Sequence, residues 1–208
     1  MDGGRVFVDR RDAGRQLAEE LHPYAENAVV LGLPRGGIVV AREVADALGI
    51  PLDVAISCKL RHPDMPEFAA GAVDPEGHLL FNPDAVGTFS PEAMDAEVAQ
   101  RAALARKRLA QYRAIHAEVP VAGRTVLLVD DGMATGLTIR LAAPGLPRKG
   151  AAKVVVALPV APRDAQDRLR NDVDECVILV QPVGFHAVGQ AYLDFAQVED
   201  DEALAAFR

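Results

Sequence analysis

Residues 126–138 read V-L-L-V-D-D-G-M-A-T-G-L-T. Four apolar residues end at two adjacent aspartates, and a loop of Gly, Ala and Thr opens at once. A short apolar run closed by turn residues is the pattern of a strand buried on both faces. Such strands occur in parallel sheets covered by helices. This one stretch therefore constrains the architecture more than any other. Further strand runs at 29–33, 52–57, 154–160 and 175–180 alternate with helical spacing at 38–48 and 163–170. Strands alternating with helices predict an α/β fold with a parallel, Rossmann-like, three-layer core.

Other segments fill in the organisation. Ala13, Leu17, Leu21 and Tyr24 share one face of a helix expected over 12–27. Residues 60–87 are rich in Pro, Gly, Asp and His, with two weak strand patterns at 69–73 and 78–81, and read as a mobile hairpin or flap. Ser90-Pro91 supplies a helix cap and a first-turn proline. A long helix over about 90–118 is expected to follow. Its polar face carries Arg101, Arg106, Lys107, Arg108 and Arg113. That run reads as a solvated face, the alternative being a surface for an acidic partner. The helix after residue 138 should stop near Ala143, because an interior proline such as Pro144 costs about 3 kcal/mol. Residues 181–208 form a C-terminal cap, and all 208 residues read as one domain.

Charge and composition narrow the function classes. The net charge is −8 with no evident basic face, which argues against nucleic acid as the main partner. Cys58 and Cys176 lie far apart with no C-x-x-C, so neither a zinc site nor a disulfide framework is expected. The first residues lack the apolar core of a signal peptide. No apolar run approaches the roughly 20 residues of a membrane helix. A cytoplasmic protein without membrane contact is the expectation.

The loop at 132–138 combines backbone N–H groups at a helix start with the Thr135 and Thr138 hydroxyls, a set that suits a phosphate. The two aspartates cannot share that subsite. A carboxylate about 4 Å from a phosphate charge costs roughly 4 kcal/mol at an effective dielectric of 20. They should instead face sugar hydroxyls, a cation or a developing positive centre. A ribose 5-phosphate group meets both demands. No G-x-x-x-x-G-K-[ST] and no G-x-G-x-x-G occurs, which disfavours a P-loop ATPase and a dinucleotide fold. The plain alternative is a tight acidic turn between strand and helix.

The 126–138 stretch resembles the phosphoribosyl-pyrophosphate signature of type I phosphoribosyltransferases. L-G-L-P-R-G-G-I-V-V-A at 31–41 resembles the pyrophosphate loop of the same family. The resemblance covers most of residues 29–200, and it implies a flap and a small hood over the sheet. It also implies Mg²⁺-dependent transfer of phosphoribose from phosphoribosyl pyrophosphate to a nitrogen acceptor, a nucleobase, with release of pyrophosphate. Asp130 and Asp131 would hold the ribose hydroxyls directly or through Mg²⁺. Gly132, Met133, Ala134, Thr135, Gly136, Leu137 and Thr138 would bind the 5-phosphate. Pro34, Arg35, Gly36 and Gly37 would meet the pyrophosphate, with Lys59 reaching the same leaving group. Where relatives carry Arg-Lys and a Gly-rich flap start, this chain has C-K-L-R-H-P at 58–63. Either Arg61 replaces the missing charge or the leaving-group site is weaker. Phe185, His186, Tyr192 and Asp194 are the acceptor candidates, although Phe185, Tyr192 and Phe195 would equally serve to pack the cap. Family likeness and the long helix together suggest a homodimer. A regulator that binds phosphoribosyl pyrophosphate without turnover stays open beside the enzyme.

Overall fold

The computed structural model describes residues 7–61, 69–82, 85 and 90–208. Five parallel strands form the central sheet: β1 (Ala28–Gly32), β2 (Leu52–Val54), β6 (Thr125–Val129), β7 (Lys153–Val160) and β8 (Glu175–Val180), in the order β2-β1-β6-β7-β8. β1 and β6 run in register from Ala28 beside Thr125 to Gly32 beside Val129. This in-register pairing brings the loops after both strands to one edge.

The strand sequences are apolar at nearly every position because both faces are buried. Val30, Leu127, Val129, Val155 and Ala157 face one cluster, together with helices α1 (Arg10–Leu21), α2 (Gly36–Leu48), α3 (Pro91–Arg113) and α7 (Asp200–Phe207). Val29, Leu31, Val126, Leu128, Val154, Val156 and Leu158 face the other. That face is covered by α4 (Leu137–Ala142), α5 (Gly145–Arg148) and α6 (Ala165–Leu169). The period of two along each strand thus divides the chain into three layers. Leu127 and Leu128 have no exposed surface, so truncating either to alanine would cost about 2–5 kcal/mol.

Local signals set several boundaries. Asp9 caps α1 by accepting from the Asp12 N–H at 2.8 Å, so this helix begins two residues earlier than its apolar spacing suggests. The Ser90 hydroxyl accepts from the Ala93 N–H at 3.2 Å at the start of α3, with Pro91 in the first turn. α4 stops at Ala142 with Ala143 as its cap, where Pro144 forbids continuation, and the four-residue α5 follows. The strand expected over 52–57 is shorter. Ala55 still donates to the Gly32 carbonyl at 3.0 Å, but the chain then leaves the sheet.

A second, antiparallel sheet stands beside the core. It contains β3 (Cys58–Arg61), β4 (Ala69–Val73) and β5 (Leu79–Phe81), in the order β3-β4-β5. β4 and β5 fall where the two weak strand patterns of the 60–87 segment predict them, and β3 precedes them. Residues 62–68, 83, 84 and 86–89 of that segment lie outside the described residues. At the other end, the cap is tied to the N-terminal segment. Phe7 donates to the Ala191 carbonyl at 2.7 Å and its own carbonyl accepts from Leu193 at 2.8 Å. Asp194 donates to the Val8 carbonyl at 2.9 Å. This pairing delivers the first residue of α1 to the edge of the sheet.

Candidate active site

Two loops meet beyond the carboxyl ends of β1 and β6, where open α/β sheets hold their ligands. Residues 34–37 follow β1 and residues 130–136 follow β6. The Pro34–Arg35 peptide is cis. The loops approach so closely that a Cβ at Gly36 would overlap Asp131 Oδ2, and one at Gly37 would lie 2.7 Å from Asp130 Oδ1. Only glycine permits this approach. Gly136 has a φ of 77°, the left-handed conformation from which α4 starts. Between the loops lies a cavity of about 330 Å³. Asp130, Asp131, Thr135, Thr138, Arg35 and Lys59 all line it.

The two aspartates are held differently. Asp131 accepts from Arg10 Nε at 2.7 Å, in an ion pair whose partners are only 11% and 16% exposed. Its backbone carbonyl accepts from the Tyr192 hydroxyl at 2.6 Å, and its N–H donates to Asp130 Oδ1 at 2.8 Å. Asp130 forms no such ion pair among the described residues. Desolvation first, and then the Asp131 charge, raise its pKa well above the usual carboxylate value, while the Asp131 N–H and Lys59 pull it down. A desolvated carboxyl beside a second carboxylate is the setting a hard cation relieves, and two oxygen donors suit Mg²⁺. The pair therefore fits a divalent ion on electrostatic grounds. Asp74, Glu76 and His78 also cluster, on the turn between β4 and β5, but they line a different cavity, away from these aspartates.

The phosphate-type loop relies on its own atoms. α4 has six residues, too short for its dipole to contribute much. Toward the cavity this end presents loop residues 132–136 and the hydroxyl-bearing Thr135 and Thr138. The loop is braced from outside: Met133 donates to the Val160 carbonyl at 2.9 Å, and Arg168 Nη1 to the Ala134 carbonyl at 3.3 Å.

A second cavity, about 460 Å³, adjoins the first through Pro34, Arg35, Lys59 and Thr138. Arg61, Arg101 and Arg108 line it as well. Arg35 Nη1 lies 3.3 Å from Glu199 Oε2 and 3.7 Å from Asp200 Oδ1, at the start of α7.

A family model described as phosphoribosyl transferase domain matches residues 9–192. The chain belongs to this family. A protein called a putative phosphoribosyl transferase, found in two strains of Mycobacterium tuberculosis, is 44% identical over 204 residues, 97% of this chain. Those residues make up 46% of the mycobacterial protein, so the chain spans about half the length of the curated relatives it matches. Among solved structures, TT1426 from Thermus thermophilus is 44% identical with a TM-score of 0.79, covering 97% of both chains. A hypothetical protein from Neisseria gonorrhoeae, solved with bound ppGpp, shares the fold at 15% identity. Its TM-score is 0.54, with 98% of this chain and 97% of that chain covered.

Within the phosphoribosyl transferase domain, most of the expected residues converge. Asp130, Asp131, Gly132, Met133, Ala134, Thr135, Gly136, Thr138, Pro34, Arg35, Gly36 and Lys59 surround the first cavity. Leu137 is buried and turned into the core, and Gly37 packs against Asp130. Arg61 lies at the second cavity, with its backbone N–H donating to Glu97 at 2.9 Å.

None of the acceptor candidates Phe185, His186, Tyr192 and Asp194 lines the first cavity. Tyr192 is buried between Phe7 and Phe195, with ring centroids 5.4 and 4.8 Å away, and its hydroxyl serves Asp131. Burial first, then the Asp131 charge, push its pKa up. Phe185 packs beside the same cluster, His186 is exposed, and Asp194 accepts from Ala196 at 3.0 Å. Val188 and Phe195 line the cavity instead. Arg10 lines it too, with its guanidinium 3.9 Å over the Phe195 ring. Nothing in the local sequence distinguishes Arg10 from Arg11 or Arg15. Of the expected solvated face of α3, Arg106 and Lys107 are exposed, but the other three arginines are not simply solvated. Arg113 pairs with buried Asp53 at 2.6 Å, while Arg101 and Arg108 turn toward the second cavity.

Proposed function

We propose that this domain transfers phosphoribose from phosphoribosyl pyrophosphate to a nitrogen acceptor, a nucleobase, and releases pyrophosphate. One observation carries the reading. A carboxylate pair and a Gly/Thr loop line a single cavity, together with Arg35 and Lys59. Three chemistries are thus available along one ligand. Residues 132–138 take the 5-phosphate. Asp130 and Asp131 face the ribose. Arg35 and Lys59 face the leaving group.

The bond from the anomeric carbon to the pyrophosphate oxygen breaks as positive charge grows on the sugar ring. Carboxylates fixed next to the ring stabilise that charge, and Arg35 takes up the charge of the departing anion. Asp130 and Asp131 would hold Mg²⁺, which would supply positive counter-charge to the departing anion. Arg10 keeps the Asp131 carboxylate oriented and Phe195 keeps Arg10 in place. No protein nucleophile is required.

Pyrophosphate release tests the reading. The protein is incubated with phosphoribosyl pyrophosphate, Mg²⁺ and each of a panel of nucleobases. Release with one base supports the transferase and names the acceptor. Binding without release across the panel supports a ligand-sensing regulator. The pairing of Arg35 with Glu199 and Asp200 fits that second reading, because it leaves the leaving-group arginine occupied by protein carboxylates.

A further inference from the structure

The cavity next to the catalytic pair is strongly basic in a chain of net charge −8. Arg35, Lys59, Arg61, Arg101 and Arg108 line it, and among the described residues no carboxylate does. These cations are not equally committed. Arg101 Nε is bound to Glu97 at 2.7 Å, in a pair 19% and 15% exposed. Arg108 is poorly satisfied. Its Nη2 reaches Asp200 Oδ1 only at 3.4 Å, and its Nη1 meets the Cys58 sulfur at 3.8 Å. Its buried Nε has no hydrogen-bond partner among the described residues. A charge-assisted pair normally closes to about 2.7–2.9 Å. Asp200 thus stands between two guanidiniums, 3.7 Å from Arg35 and 3.4 Å from Arg108, and holds neither tightly. Its side chain is half exposed and free to leave.

We propose that Arg108 is an additional phosphate-binding residue on the leaving-group side of the site, and that Asp200 occupies it until an anion enters. The inference rests on the phosphoribosyl transfer reading given above. A pyrophosphate carries two phosphate groups, and Arg35 in the loop after β1 meets one. Arg108 projects from α3 into the same cavity at the spacing 101, 104, 108 that keeps one helical face together. Its planar fork matches two oxygens of a phosphate. Entry of the anion replaces one long contact to Asp200 with short ones and fills the unpaired Nε. The displaced Asp200 is the first residue of α7, so the start of that helix responds to occupancy.

The test is calorimetric binding of inorganic pyrophosphate with Mg²⁺ to the full chain and its variants. Arg108→Gln is expected to weaken binding about tenfold, and Arg108→Lys by less. Asp200→Asn is expected to strengthen it several-fold. These opposite signs separate a ligand contact from a structural one. If the Arg108–Asp200 contact only anchors α7, both substitutions shift affinity in the same direction, and the proposal is overturned. An affinity within twofold of wild type in Arg108→Gln overturns it as well. Arg35→Gln distinguishes the two levels of the argument. Binding lost in Arg35→Gln but kept in Arg108→Gln removes this inference and leaves the transferase reading intact. A wild-type protein that does not bind pyrophosphate removes both.

Discussion

Arg10 Nε donates to Asp131 Oδ2 at 2.7 Å across 121 residues of chain. The same guanidinium donates to the Ala196 carbonyl at 2.8 Å and lies over the Phe195 ring. Three contacts on three residues leave it a single orientation. Arg10→Gln should therefore release Asp131. A hydrogen bond to a charged group contributes about 1.5–3 kcal/mol, so kcat/KM for pyrophosphate release should fall roughly 10- to 150-fold. Arg10→Lys keeps the charge but not the planar fork, and should recover only part of the loss. Steady-state kinetics on both variants decide the matter. Wild-type rates in Arg10→Gln would remove Arg10 from the site.

The approach of Gly36 to Asp131 makes a second prediction. A methyl group there would overlap the carboxylate, which is pinned by Arg10 and cannot step aside. Gly36→Ala should push the loop at 34–37 out of line. A displacement of about 1 Å in a reacting geometry costs on the order of 100-fold in rate. Circular dichroism should show the fold unchanged, while pyrophosphate release falls by that order. A fully active Gly36→Ala would mean that the loop is more adaptable than its packing implies.

Asp130→Asn and Asp131→Asn test the carboxylate pair against the loop beside it. Either should remove most turnover while the far-ultraviolet spectrum stays native. Thr135→Ala tests the loop end of the same cavity. It should raise the KM for phosphoribosyl pyrophosphate more than that for the acceptor. A change confined to the acceptor KM would show that residues 132–138 hold something other than the 5-phosphate.

How much of the site is legible from the chain alone depends on where the information lies. Thr125 to Thr138 read correctly as strand, loop and helix start because every signal there is local: burial of both strand faces, then a turn of small residues. The stop of α4 before Pro144 is local too. Arg10, Val188 and Phe195 are not legible. They reach the cavity because Phe7 and Val8 pair with the cap near residues 191–194, and no spacing in the sequence announces that pairing. Tyr192 is visible as an aromatic near the site, but its partner, the Asp131 carbonyl, lies on a strand-end loop 61 residues away. The arginines of α3 mislead for a related reason. Their helical spacing is regular, yet what each one meets (Asp53, Glu97 or an open cavity) is decided by tertiary packing.

Asp53 yields a prediction about stability rather than catalysis. It is 1% exposed and accepts from Arg113 at 2.6 Å, from the Val119 N–H at 2.8 Å and from the Val54 N–H at 2.7 Å. This carboxylate ties β2 to the end of α3 and to the segment leading into β6. Losing this carboxylate orphans the Val54 and Val119 N–H groups and leaves the part-buried Arg113 without its partner, at a combined cost of about 3–5 kcal/mol. Asp53→Ala should lower the melting temperature by about 6–20 °C for a chain of this size. Asp53→Asn, which keeps an acceptor for the backbone, should lose less. Equal melting temperatures for Asp53→Ala and wild type would show that water replaces the carboxylate without cost.

Tyr112, on the buried side of α3, makes stability depend on alkaline pH. It is 3% exposed and packs edge-on against Phe207 at 5.0 Å. Burial first, then the Asp200 charge, push its phenol up to about 12 from the ordinary 10, against the pull of Arg108 and Arg35. A folded-state pKa above the unfolded value means that the folded chain resists ionisation. The associated stability is complete below pH 10 and is lost as the pH rises through about 12. Tyr112→Phe has no proton to lose. The unfolding free energy of wild type minus that of Tyr112→Phe should therefore decline between about pH 9 and about pH 11.5, by on the order of 1–3 kcal/mol. Urea unfolding at both pH values measures it, and the subtraction cancels lysine and arginine titrations common to both proteins. A difference that stays constant over this range would place the Tyr112 hydroxyl in contact with solvent, and α3 would then sit more loosely on the core than its packing indicates.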